Sequence, residues 1–130
     1  ASPYPNELTL ASVAYWQSHG FEVQQVLNVT TSNQGFHAIY TTGTDAAAHT
    51  VQALRGSGAD AVLMLGTGMP SLQAICDLGQ GGGPPVLSSM LALMWRASAL
   101  CHNQQQAIGP WLSAAQWSTR ARAMGLLTAP

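Results

Sequence analysis

The chain has 130 residues, 47% of them hydrophobic and only 7% charged, with 20 Ala, 13 Gly, 11 Gln and no Lys. Four Arg against five acidic residues leave a formal charge of -1, too few cations to build the basic stripe that phosphate contacts require. The apolar content is too high for a disordered chain, and no run approaches the roughly 18 apolar residues of a membrane span, so the nucleic-acid, membrane and disordered classes are excluded. The length suits a single domain.

The first predicted helix runs from Asn6 to His19, with Asn6 as its cap, Glu7 in its first turn and Gly20 as its stop. Leu8, Ala11 and Tyr15 fall on one face and are expected to pack on a sheet. A Val-rich strand is predicted over 21–29, followed by a loop over 30–43 rich in Thr, Gly and Asn. Thr44 is expected to cap a second helix from Asp45 to Arg55. Ala61-Val62-Leu63-Met64-Leu65 is a continuous apolar run, as in a parallel strand covered on both faces. Gly66-Thr67-Gly68-Met69-Pro70 turns the chain, and Pro70 or Ser71 opens a third helix through about Leu78. Residues 79–85 (GQGGGPP) read as a loop, 86–88 as a short strand, Ser89 as the cap of a helix through Cys101, and 110–124 as a last helix. Strands alternating with helices over short connections imply an α/β fold with a parallel sheet.

In open parallel sheets, ligands gather outside the carboxyl ends of the strands. The Gly66–Gly68 turn sits at such an end, ahead of a predicted helix start. Its backbone N–H groups, the Thr67 hydroxyl and the helix dipole form a candidate anion cradle. A plain tight turn is the competing reading of the same residues.

The runs GADAVLMLGTGMPSLQAI and PPVLSSMLALMWRASAL, with Ser2-Pro3-Tyr4-Pro5-Asn6-Glu7 and Gly20-Phe21-Glu22-Val23, carry a family resemblance. Over residues 2 to about 100 the chain resembles the second half of the aspartate/glutamate racemase superfamily, in its maleate cis-trans isomerase and arylmalonate decarboxylase branch. The resemblance implies a flavodoxin-like parallel sheet flanked by helices. It also implies isomerisation, racemisation or decarboxylation of small carboxylic or dicarboxylic acids without any cofactor or metal, the carboxylate being held by neutral donors that act as an oxyanion hole. Tyr4 then matches the tyrosine that grips the carboxylate, Thr67 and Gly68 the turn whose backbone does the same, and Met69 an apolar wall.

Two departures stand against that pattern. Gly66 occupies the position of the family's second Cys, so no catalytic residue is expected on this chain. Only three residues precede Tyr4, too few for the central strand that the family ends there. The expectation is therefore a single α/β domain over 1–130 that lacks its first, central strand, a fragment or half of a two-domain protein whose acid/base Cys belongs to a missing N-terminal half or a partner chain. A homo-oligomer and a cytoplasmic location complete the reading. The alternative is a non-catalytic carboxylate-binding or assembly module derived from such an enzyme.

Other residues read as structural. Cys76 and Cys101 lack any ligand or disulfide framework and are expected to be buried free thiols. His19, His37, His49 and His102 share no ligand spacing and read as surface or capping residues. Trp95, Trp111 and Trp117 are expected to cover the sheet or a partner, and Gln104–Gln106 to form a solvated helix junction. Asn28-Val29-Thr30 is formally a glycosylation sequon without any accompanying secretion signal.

Overall fold

The computed structural model describes residues 1–29, 42–78 and 83–102, with Ala107, Ile108, Trp111, Thr119 and Ala123. Residues 30–41 of the loop expected over 30–43, residues 79–82 of that expected over 79–85, His37, residues 104–106, Trp117 and most of the helix expected over 110–124 lie outside the described residues.

Within them the chain is mixed α/β. The order is α1 (Asn6–Ser18), α2 (Thr44–Leu54), β1 (Val62–Met64), α3 (Leu72–Leu78), β2 (Val86–Ser88) and α4 (Ser89–Cys101). β1 and β2 pair in parallel, Val62 opposite Val86 and Met64 opposite Ser88. Parallel strands need a crossover, and α3 lies between them in the chain.

The core forms where helical and strand periods meet. Ala47, Val51 and Leu54 recur at i, i+4 and i+7 on α2 and are buried with Val62, Met64 and Val86. Val29, Met69, Ala74, Ile75 and Leu91 belong to the same cluster. Each fully buried aliphatic side chain of this size contributes about 1.5–3 kcal/mol. The alternate strand residues Leu63, Leu65 and Leu87 are only half-buried and line a cavity instead. The expectation of a strand sealed on both faces is thus met on one face only.

Residues 21–29 do not form the expected strand; Asn28 alone makes a bridge, parallel to Ser2. The reason is the partner available. Only Ala1 and Ser2 lie between this segment and β1, and they are bonded on both sides. The Ala1 ammonium donates to the Leu63 carbonyl at 2.7 Å, and the Leu65 N–H donates to the Ala1 carbonyl at 2.9 Å. On the other side, Ser2 N–H donates to Leu27 at 3.0 Å and Val29 N–H donates to Ser2 at 2.8 Å. The spatial order is therefore 27–29, 1–2, β1, β2.

Several local expectations are corrected. Pro5, not Asn6, is the N-cap of α1, and Gly43, not Thr44, that of α2; neither makes a side-chain cap. Asn6 instead accepts from the Asn28 amide at 2.5 Å, tying α1 to the 21–29 segment. The inward face of α1 carries Thr9, Ser12, Val13 and Trp16, whereas Leu8 and Tyr15 are 58% and 55% exposed. The cap of α4 is Ser88, whose hydroxyl accepts from Leu91 N–H at 3.3 Å, so helix and strand abut without a linker. Cys76 is buried as expected, but Cys101, in the last turn of α4, is exposed. His19 and His49 turn Nδ1 to the carbonyls of Tyr15 and Asp45 four residues back, in keeping with capping and surface roles.

Candidate carboxylate site

The site begins with two buried hydroxyls. Ser2 and Thr9 lie 2.8 Å apart, 1% and 5% exposed. Thr9 Oγ1 donates to the Tyr4 carbonyl at 3.2 Å, which leaves Ser2 Oγ to donate to Thr9 and to accept from Tyr4 N–H at 3.3 Å. Every proton in this chain has a partner, as burial requires. Pro3 and Pro5 flank Tyr4 and restrict the backbone on either side of it. Tyr4 is thereby held at the entrance to α1 with a half-buried side chain.

At the carboxyl end of β1 the chain enters Gly66 at φ +94°, a conformation that a side chain makes costly. A Cβ there would stand 2.6 Å from Pro3 Cγ and 3.7 Å from the Tyr4 hydroxyl. The absence of a side chain is thus what allows the Tyr4 loop to close over the turn. Tyr4 and Gly66, 62 positions apart in the sequence, are brought together. Thr67 and Gly68 form the turn that follows, Thr67 exposed and Gly68 half-buried. No hydrogen bond among the described residues engages the amides of Gly66, Thr67 or Gly68.

The fifth predicted residue behaves differently. Met69 is 4% exposed and belongs to the core cluster, so its side chain anchors the turn from beneath. The helix expected from Pro70 or Ser71 starts at Leu72 and has seven residues. It therefore begins past the turn and lends it little dipole; the donors are the turn amides and the two hydroxyls alone. The cavity of about 370 Å³ between α1, residues 21–26 and β1 includes none of the five residues. It is lined by Ala1, Leu63 and Leu65 and stops short of the turn itself.

No family model, no curated protein and no solved structure matches the chain. The functional reading therefore rests on the site itself. Among the described residues no group of His, Cys, Asp and Glu could hold a metal ion, and no helix is long and apolar enough to cross a membrane.

Sequence reasoning overlooked Pro3, Ser2 and Thr9, which set the height and orientation of Tyr4. A Ser two residues before the Tyr and a Thr five residues after it were a usable signal. Ser and Thr near a helix entrance commonly bind backbone groups, and here they also bind each other.

Proposed function

We propose that this chain binds a small carboxylate through neutral donors, the Tyr4 hydroxyl and the amides of Gly66, Thr67 and Gly68. The carrying observation is the approach of the Tyr4 hydroxyl to the turn, 3.7 Å from the Gly66 Cβ position, over amides that have no partner among the described residues. A carboxylate accepts up to about four hydrogen bonds, which two or three amides, a phenol and the Thr67 hydroxyl would meet. Such an arrangement would suit cofactor-independent isomerisation, racemisation or decarboxylation, because neutral donors stabilise negative charge developing on carboxylate oxygens. The proton-transferring Cys would be supplied from outside these 130 residues. Cys76 is buried in α3 and Cys101 lies at the far end of α4. In this reading the segment order 27–29, 1–2, β1, β2 is an abbreviated flavodoxin-like sheet, and the two free thiols fit a reducing, cytoplasmic setting.

The test is a titration of the chain with malonate and maleate, followed through backbone amide resonances. Saturable shifts at Gly66, Thr67 and Gly68, weakened about tenfold by Tyr4→Phe, are expected. Shifts that chloride reproduces, or that Tyr4→Phe leaves unchanged, would reject the site.

A second reading, a binding or assembly module without chemistry of its own, is favoured by one observation. A cysteine side chain at residue 66 would meet both the positive φ and the Pro3 ring, so this turn is shaped around the absence of that thiol. Turnover of either acid by a partner-complemented chain supports the enzyme; binding without turnover in any complement supports the module.

A further inference from the structure

The segment ahead of Val29 presents an open backbone edge. The parallel bridge to Ser2 turns the Leu27 carbonyl and the Val29 N–H inward. Backbone groups of successive residues in an extended chain point to opposite sides, so those of Glu22, Gln24, Val26 and Asn28 point outward. None of these four amides makes a hydrogen bond among the described residues. Phe21 and Val26 are 59% and 41% exposed along the same stretch, and Glu22 is its one charged residue. An open edge of this kind is a template for another strand. We propose that segment 21–29 pairs with the same segment of a second copy of this chain, antiparallel about a two-fold axis at Gln25.

Self-complementarity argues for a second copy as the occupant. A two-fold contact sets residue i against residue j and residue j against residue i. With the axis at Gln25, Gln24 faces Val26 of the second copy and Glu22 faces its Asn28. Each such pair exchanges two N–H to carbonyl bonds, which satisfies every outward amide and carbonyl from 22 to 28. In the alternate positions Phe21 lies opposite Val29, Val23 opposite Leu27, and Gln25 opposite its own equivalent. Apolar residues therefore meet apolar ones, and the lone carboxylate meets a neutral amide instead of another carboxylate. An axis moved to Gln24 would set Val23 against Gln25 and Glu22 against Val26, losing both matches.

The area sets the strength. One strand pair covers less than the roughly 800 Å² per partner of a standard interface, so the dimer is weak and forms at high concentration. Within one copy the segment makes a single bridge. Pairing supplies the hydrogen bonds that turn its Val-rich sequence into a strand.

The test uses the full 130-residue chain. Sedimentation between about 1 μM and about 1 mM is expected to show a monomer–dimer equilibrium. Hydrogen exchange at Gln24 and Val26 should slow about tenfold or more as the dimer forms. Gln24→Pro removes an outward N–H that has no bond among the described residues, and should weaken dimerisation about tenfold or more. Exchange of the Val62 amide, bonded to Pro85 in the core, should be unchanged in that variant, which shows that it still folds. Disulfide trapping reads the register, in a Cys101→Ser background because Cys101 is exposed. Gln25→Cys sets two thiols opposite each other at the axis, at a Cα separation that suits a disulfide. Glu22→Cys sets them about 20 Å apart. The first variant should cross-link about tenfold or more faster than the second. Equal rates overturn the proposal. So does a chain that stays monomeric at every concentration, which would leave the edge to a different polypeptide. Protection of Gln24 and Val26 that does not depend on concentration also overturns it, since the edge is then covered within one chain. None of these readouts involves carboxylate binding at Gly66–Gly68, so the two proposals fail independently.

Discussion

The Ala1 amine is the most informative group to perturb. It is largely removed from solvent, and burial alone lowers its pKa from 8.0 to about 6. Below pH ~6 the amine is protonated in both the folded and the unfolded chain, so the folded state carries the full cost of a desolvated charge. Between about pH 6 and 8 the unfolded chain holds a proton that the folded chain has released, and stability rises with pH. Above pH ~8 both states are neutral and the cost is gone. The lowering from 8.0 to about 6 corresponds to about 2–3 kcal/mol. Amino-terminal acetylation removes the charge yet keeps an N–H for the Leu63 carbonyl, and the adjoining cavity of about 370 Å³ has room for the acetyl group. Urea unfolding of the free and acetylated chains, at pH about 5.5 and about 8.5, isolates the effect because both share every other titrating group. The stability advantage of acetylation is expected to shrink by about 2–3 kcal/mol from the lower to the higher pH. An advantage that stays constant within about 0.5 kcal/mol would refute the burial of the Ala1 nitrogen against the Leu63 carbonyl.

Four further outcomes follow from the packing. Gly66→Ala combines a positive φ with overlap of the Pro3 ring, and thermal or urea unfolding should register a loss of about 2–4 kcal/mol. Thr9→Val should cost about 1–2 kcal/mol, since it leaves Ser2 Oγ and the Tyr4 carbonyl without their partner; it should also weaken malonate binding by loosening Tyr4. Ser88→Ala, which removes the α4 cap, should lower stability by about 1 kcal/mol without altering malonate binding. In native conditions a thiol reagent should label Cys101 rapidly and Cys76 only as the chain unfolds, a contrast that mass spectrometry of timed samples reads directly.

The elements with the clearest local signals were legible in the sequence. α2, β1, β2 and α4 fall within a residue or two of their predicted ranges, because their apolar periods, glycine stops and prolines act through neighbours in the chain. Of the candidate site, Tyr4 and the Gly66 turn were singled out only through the family resemblance, and their approach across 62 positions is a tertiary contact that no local signal announces. The burial of Met69 was not legible either, since an apolar residue beside a glycine turn serves a wall or a core equally well.

What the sequence determined by itself is the α/β class, the parallel pair that Val62–Met64 and Val86–Ser88 form, and a surface without cationic stripes. Each of these depends on composition or on contacts within one element and its crossover. Tertiary structure alone decided which face of α1 turns inward, because Thr9 finds Ser2 while Leu8 and Tyr15 find no surface to cover. It decided too that 21–29 makes a single bridge, since a strand exists only where a neighbour supplies its hydrogen bonds, and here that neighbour is two residues long.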